Sequence, residues 1–139
     1  MTELNALYQK NILDLAKIGR ASRRLDHPEF STLVKNPTCG DQVRIDIAFL
    51  DGQTMIGAKV KGCALCEAAT GLIIINAENI SMKEANRLFD DVSEWLHDGA
   101  IQVDLNQLDS FAPVKEIQAR IGCVLLPFKA LAKCTENSD

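Results

Sequence analysis

The 139-residue chain has no low-complexity tract, no internal repeat and no long linker, which sets aside solenoid and tethered multidomain organisation. It also lacks a long hydrophobic run. The most apolar stretch, around Leu72 to Ile75, is far too short to span a bilayer. Met1 to Leu7 is polar and acidic instead of basic and then apolar, so no secretory signal and no membrane partner are expected, and the expected location is cytoplasmic. Basic charge is not in excess. Fifteen Lys and Arg stand against 19 Asp and Glu, for a net charge of −4, which argues against a nucleic-acid partner because phosphate binding needs clustered cations. There are only two histidines, and neither has the partner context that a cysteine hydrolase would need. What remains is a globular composition, 47% hydrophobic and 24% charged, in a length that fits one domain over residues 1–139 with a polar, frayed tail from Thr135.

The periodicity predicts an α+β fold. Leu4, Leu7, Ile12, Leu15 and Ile18 recur at helical spacing between about Glu3 and Arg23, and His27-Pro28 ends that pattern. A short strand is expected over Phe30 to Lys35. The turn-forming run Asn36-Pro37-Thr38-Cys39-Gly40-Asp41 follows. Val43, Ile45, Ile47 and Phe49 alternate with other residues, as a half-buried strand does, and Asp51-Gly52 signals a hairpin into a return strand over Met55 to Lys61. Ala64 to Ala77 is apolar nearly all round and reads as a buried helix, although Ile73-Ile74-Ile75 taken alone suits a strand. Ser81-Met82-Lys83-Glu84 is a capping box opening a helix that Gly99 would stop. Pro113 to Ala119 is a short helical segment, and Arg120 to Lys133 a last helix. The expected architecture is a small antiparallel sheet of about three strands packed against several helices.

Five cysteines, an odd number, fit thiol or metal chemistry better than a disulfide framework. Cys39, Cys63 and Cys123 each adjoin a glycine (Gly40, Gly62, Gly122) at a junction between predicted elements, and Asp41 shares the turn of Cys39. Cys63 and Cys123 fall near predicted helix N-termini, where the dipole favours a thiolate. Three thiolates and a carboxylate suit a tetrahedral zinc ion, with the carboxylate as the weakest ligand of the four. Arg120, Lys35 and Lys61 are the nearby cations in sequence that would offset the negative charge. The spacing by itself leaves alternatives open. Cys63-Ala64-Leu65-Cys66 reads equally as half a zinc knuckle, a redox dithiol or chance, and free cysteines are commonly small buried hydrophobes.

Three segments in order carry a resemblance. Asn36 to Asp41, Lys61-Gly62-Cys63-Ala64-Leu65 and Arg120-Ile121-Gly122-Cys123 with the apolar run to Leu131 resemble the three cysteine motifs of the SufU/IscU (NifU N-terminal-like) scaffold proteins. Leu7-Tyr8 and Ile12-Leu13-Asp14 echo that family's first helix, and the long stretch between the second and third cysteines is more similar to the SufU branch. The resemblance implies a SufE/NifU-like fold. It implies an iron–sulfur cluster assembly scaffold that accepts sulfur from a pyridoxal-phosphate-dependent cysteine desulfurase and passes clusters to downstream carriers. The implied ligands are Cys39, Asp41, Cys63 and Cys123, around zinc or iron or a transient 2Fe–2S cluster. Cys39 or Cys123 would receive the sulfur. A scaffold or carrier fits better than an enzyme, and any enzymatic activity would be that of a zinc-dependent sulfurtransferase holding no cluster. Outside the family stands a redox dithiol protein using Cys63 and Cys66. Cys66 occupies a position where relatives usually carry Ser, which makes it a candidate substitute ligand. The relatives' His-Tyr-Lys-Asn-Pro-like stretch is missing near Ile18 to Arg24.

Other polar residues have plainer readings. Cys134 matches no motif, His27 and His97 read as surface residues, and Trp95 as partly buried. Lys17, Arg20, Arg23 and Arg24 read as a solvated helix face.

Overall fold

The computed structural model describes the backbone of residues 2–136, with side chains from Tyr8 onward. Helix α1 spans Thr2–Ala21, followed by strands β1 (Phe30–Lys35), β2 (Gln42–Leu50) and β3 (Gln53–Lys61). Helices α2 (Ala64–Ile75), α3 (Met82–Leu96) and α4 (Gln118–Glu136) complete the chain, with 3-10 segments at Ala77–Asn79 and Leu108–Glu116. The strands form one antiparallel sheet in the order β1-β2-β3. This is the α+β arrangement expected from the pattern.

Alternation along the strands decides which face of the sheet is covered. Val43, Ile45 and Ile47 are fully buried, and the register sets Val34, Thr32 and Phe30 on one side of them and Val60, Ala58 and Ile56 on the other. That inner face packs against α2 and α4. Leu72 and Ile73 of α2 and Phe128 and Leu131 of α4 lie in the same core, fully buried. The isoleucine run is thus helical, because its two ends serve different neighbours: Ile73 enters the core while Ile74 and Ile75 stay half-buried.

Helix α1 lies across α2 at close range. A Cβ on Gly19 would strike the Glu67 carbonyl, and one on Gly71 the Leu15 carbonyl, so only glycine allows this approach. The buried stripe of α1 is accordingly Leu15, Ala16 and Gly19, whereas Ile18 is turned outward. Leu4 and Leu7 lie outside the described side chains.

Helix α1 stops at Ala21, two residues before the expected Arg23, because the chain is drawn over the outer face of the sheet. The Ala58 N–H donates to the Arg23 carbonyl at 3.2 Å, and a Cβ on Gly57 would meet the Leu25 nitrogen at 2.9 Å. This strap seals Asp46, which points to the outer face yet has no exposed surface. Its carboxyl accepts from Arg24 Nε at 3.1 Å, Ser31 Oγ at 2.6 Å and the Leu25 N–H at 3.1 Å. Burial pushes the Asp46 pKa up, but these donors and the Arg24 charge outweigh it and hold it below its ordinary value. The basic cluster therefore divides. Arg24 clamps Asp46 from the strap, and Arg20 pairs with Glu67 of α2 at 3.0 Å.

Several boundaries move for local reasons. Asp51 and Gly52 both have positive φ, the requirement of a tight two-residue hairpin turn. Ser81 and Glu84 form the expected capping box of α3. At its other end the left-handed position falls on Asp98 (φ 63), and the Gly99 N–H closes on the Glu94 carbonyl at 2.9 Å, one place later than expected for glycine. Pro113 lies inside the nine-residue 3-10 segment, and α4 then begins at Gln118, ahead of Arg120. Thr135 is not frayed. That residue is buried in α4, its hydroxyl donating to the Ala132 carbonyl, and residues 137–139 lie outside the described residues. Pro127 lies buried inside α4. Among the described residues no helix is long and apolar enough to cross a membrane.

Candidate functional site

Three segments meet at the end of the sheet where β1 gives way to β2 and β3 leads into α2. The first is the hairpin loop Asn36 to Asp41. The Asn36 N–H donates to the Asp41 carbonyl at 2.8 Å, the Gly40 N–H donates to the Asn36 carbonyl at 2.8 Å, and the Thr38 N–H donates to Asn36 Oδ1 at 3.0 Å. Gly40 sits at φ 79, a left-handed conformation that costs glycine little. That turn leaves Cys39 exposed at the tip and buries Asp41. The second segment is the junction of β3 and α2, where Cys63 is the N-cap of the helix and is half-buried. The third is the second turn of α4, which carries Cys123.

Cys39, Asp41 and Cys123 each offer a ligand atom, and all three atoms lie within 4.8 Å of one another. Cys63 is not in that mutual set, but it faces Cys123 closely enough for the two side chains to interact directly. The positions singled out in the sequence thus come from one loop, one strand–helix junction and one helix, and the fold gathers them at one place. Asp41 is 6% exposed, and its Oδ2 has no hydrogen-bond partner. A buried acceptor without a donor is costly, and a cation beside the Cys39 and Cys123 sulfurs is the kind of partner it lacks. The donor set therefore fits a thiophilic metal ion.

The glycines beside the cysteines have three different roles. Gly40 supplies a backbone angle. Gly62 supplies space, since a Cβ there would come 2.7 Å from Asp41 Cγ and 3.0 Å from its Oδ1. Gly122 supplies neither. It is helical, and a Cβ would only touch Asn36 Nδ2 at 3.7 Å.

The thiols differ in environment. Cys63 sits at the positive end of α2, as expected. Cys123 does not share that position, because α4 starts at Gln118 and places it a full turn further in. Burial, the adjoining Cys63 and the charges of Cys39 and Asp41 push its pKa up to about 12, so in the metal-free chain it is a thiol at neutral pH. Cys66, in the first turn of α2, has no exposed surface. Burial comes first, and the charges of Asp41, Cys63, Cys123 and Cys39 second, in raising its pKa. It lies behind the cluster and outside the mutual set. Cys134 is remote from the site, and its thiol donates to the Ile45 carbonyl at 3.3 Å.

Two clefts open beside the site. Cys63, Ala64, Leu65, Ile117 and Arg120 line one of about 390 Å³, which sets Arg120 beside Cys63. Lys35, Asn36, Pro37, Phe89, Gly122 and Lys129, with two leucines, line another of about 260 Å³. Neither cleft was legible in the sequence, because Phe89 of α3 and Ile117, the residue before α4, join them from far along the chain. His27 and His97 are exposed, and His97 Nδ1 lies 2.7 Å from the Ser93 carbonyl. Trp95 is half-buried under the Lys115 ammonium, 4.2 Å from its ring centre.

The chain is similar to known proteins in sequence and in fold. The chain is 29% identical over 136 residues to a zinc-dependent sulfurtransferase SufU of Bacillus subtilis (strain 168), covering 94% of this chain and 90% of that protein. It is 27% identical over 141 residues to an iron–sulfur cluster assembly scaffold protein IscU of Streptococcus pyogenes serotype M1, covering 99% and 88%. The crystal structure of the N-terminal part of a nitrogen-fixing NifU-like protein from Brucella abortus superposes with a TM-score of 0.79 at 27% identity, over 95% of this chain and 96% of that one. A putative SUF-system scaffold from Fervidobacterium islandicum AW-1 shares the fold with a TM-score of 0.81 at 23% identity, over 91% and 94%. Residues 7–115 match the model of the NifU-like N terminal domain, with Cys123 beyond that stretch, and the chain belongs to this family.

Proposed function

We propose that residues 1–139 act as one domain, an iron–sulfur cluster assembly scaffold that accepts sulfur from a pyridoxal-phosphate-dependent cysteine desulfurase. Cys39, Asp41, Cys63 and Cys123 hold the metal or the nascent cluster. The observation that carries this reading is the mutual closeness of Cys39, Asp41 and Cys123, where Asp41 also has a buried carboxyl oxygen without a partner. When bound, zinc or iron keeps these sulfurs as thiolates, against the burial that otherwise favours the Cys123 thiol.

Cys39 is the sulfur acceptor in this reading. It is the exposed member of the set, at the tip of a loop, where a partner's persulfide can reach it. Its thiolate attacks the terminal sulfur of the donor persulfide. The donor S–S bond breaks, the donor cysteine leaves as a thiolate, and Cys39 carries the sulfane sulfur with no net oxidation or reduction. Cys123, buried, serves as a ligand. Cys66 serves as core, and its full burial weighs against a redox pair with Cys63. The protein is a carrier located in the cytoplasm, handing clusters to downstream acceptors.

A second reading is favoured by the likeness to the zinc-dependent sulfurtransferase: the same four residues hold zinc, and the protein passes on sulfur without assembling a cluster. Anaerobic purification with metal and acid-labile sulfide analysis separates the two. Iron, sulfide and a brown colour support the scaffold. About one zinc per chain, no colour after incubation with desulfurase, cysteine and ferrous iron, and a labelled persulfide on Cys39 support the sulfurtransferase. No metal under either condition refutes both.

A further inference from the structure

The strand register assembles a feature that the overall charge conceals. On the outer face of the sheet, Lys35 and Lys61 flank Gln42 in one cross-strand row, and Leu33, Arg44 and Lys59 form the next. With strands about 4.8 Å apart and alternate residues about 7 Å apart, four cations share a patch of roughly 10 by 7 Å. Lys35, Lys59 and Lys61 are exposed and Arg44 is half-buried. None of the four belongs to any ion pair among the described residues. The one carboxyl that the same face carries between these rows and the strap, Asp46, is sealed and already held by Arg24.

Arg44 and Lys59 are direct cross-strand partners, a like-charged pairing that destabilises a sheet. A chain of net charge −4 has acids to spare, yet the two cross-strand rows that hold these cations contain none. We infer that this face is a docking surface for an acidic protein. Nucleic acid suits it less well. The patch presents Leu33 as its apolar residue and no aromatic ring on which a base could stack, and the rest of the molecule is net negative. The patch adjoins the cysteine site. Lys35 directly precedes the Asn36 to Asp41 loop, and Lys61 directly precedes Gly62 and Cys63. An acidic partner seated here has its edge beside Cys39 and Cys63. The docking surface stands on register and charge alone; its part in sulfur or metal traffic rests on the proposed function.

The test is an amide-shift titration of the whole isotope-labelled chain with an oligoglutamate peptide, and separately with a single-stranded DNA dodecamer, each at low and moderate salt. Peptide shifts should centre on Leu33, Lys35, Arg44, Lys59 and Lys61 and weaken steeply with salt. The double reversal R44E/K59E should lower affinity at least tenfold, whereas K83E/R87E on α3 should change it less than twofold. If R44E/K59E does not fold, K35A/K61A takes its place. Shifts centred elsewhere, equal losses in both double variants, or tighter binding of the DNA to this face would overturn the inference. Zinc stoichiometry measured on the same variants keeps the two claims apart. A chain that binds no zinc but passes the titration fails only as a metal scaffold, and one that binds zinc but fails the titration loses only the docking surface.

Discussion

Replacing Asp41 by Ala should raise the stability of the metal-free chain and lower that of the metal-loaded chain. In the apo state Asp41 is 6% exposed with an unpartnered Oδ2, a defect that costs about 1–3 kcal/mol. Removing the carboxyl also leaves a small void, of roughly 25 Å³, which costs about 0.6 kcal/mol at 24 cal/mol per Å³. The net expectation is a gain of about 1 kcal/mol, or roughly 3–5 °C in Tm for a domain of this size. With zinc the order reverses. Wild type gains RT ln(1 + [Zn]/Kd), and each tenfold loss of affinity in the variant removes about 1.4 kcal/mol of that gain. Thermal unfolding of both proteins in chelator and in zinc reads both signs. An apo variant less stable than wild type by more than about 1 kcal/mol would show that the carboxyl is satisfied in the apo fold and that Oδ2 needs no cation.

Other perturbations probe the neighbouring features. Gly62→Ala puts a methyl group 2.7 Å from Asp41 Cγ, so Asp41 must move; zinc affinity should fall at least tenfold by competition titration, while far-UV circular dichroism stays native. Arg24→Ala leaves the sealed Asp46 carboxyl without its cation and should cost about 2–4 kcal/mol in urea unfolding. The Asp46 pKa is depressed in the folded state, so its contribution is complete above the ordinary value of 3.8 and is lost as pH falls through the lower folded value; the acid-side loss of stability should shrink in Asp46→Asn. Alkylation of the apo chain at neutral pH, followed by mass spectrometry, should label Cys39 first and Cys66 and Cys134 at least 100-fold more slowly, in line with exposed against buried thiols. Zinc should protect Cys39, and equal labelling of Cys39 and Cys66 would contradict the assigned burial.

Much of the site was legible in the sequence because motif residues lie at element boundaries, and boundaries are marked by turn chemistry. Asn36 to Asp41 could be recognised as a loop from Pro37 and Gly40, and Cys63 as a helix start from the apolar run that follows it. Cys123 was placed too near its helix terminus. Its helix begins at Gln118, directly after a 3-10 segment that composition cannot distinguish from an α-helical turn. The strap from Ser22 to Glu29 was not legible either. Nothing local marks Arg24 as the partner of a carboxyl 22 positions away, and Gly57 becomes intelligible only once the strap lies over it. The cationic face was hidden for the same reason. Its four residues come from three strands, and only register makes them neighbours.

Pro127 bears on Cys123 through the main chain. An α-helix ties each carbonyl to the N–H four residues on, and for Cys123 that residue is Pro127, which has no N–H and whose ring crowds the carbonyl. The turn bearing the Cys123 sulfur is therefore joined to the buried stretch from Phe128 to Leu131 by one fewer backbone tie than a continuous helix would provide. The missing tie falls between the Cys123 turn and the buried run that follows, so a small shift at Cys123 is passed less directly to the packed core than it would be along an uninterrupted helix.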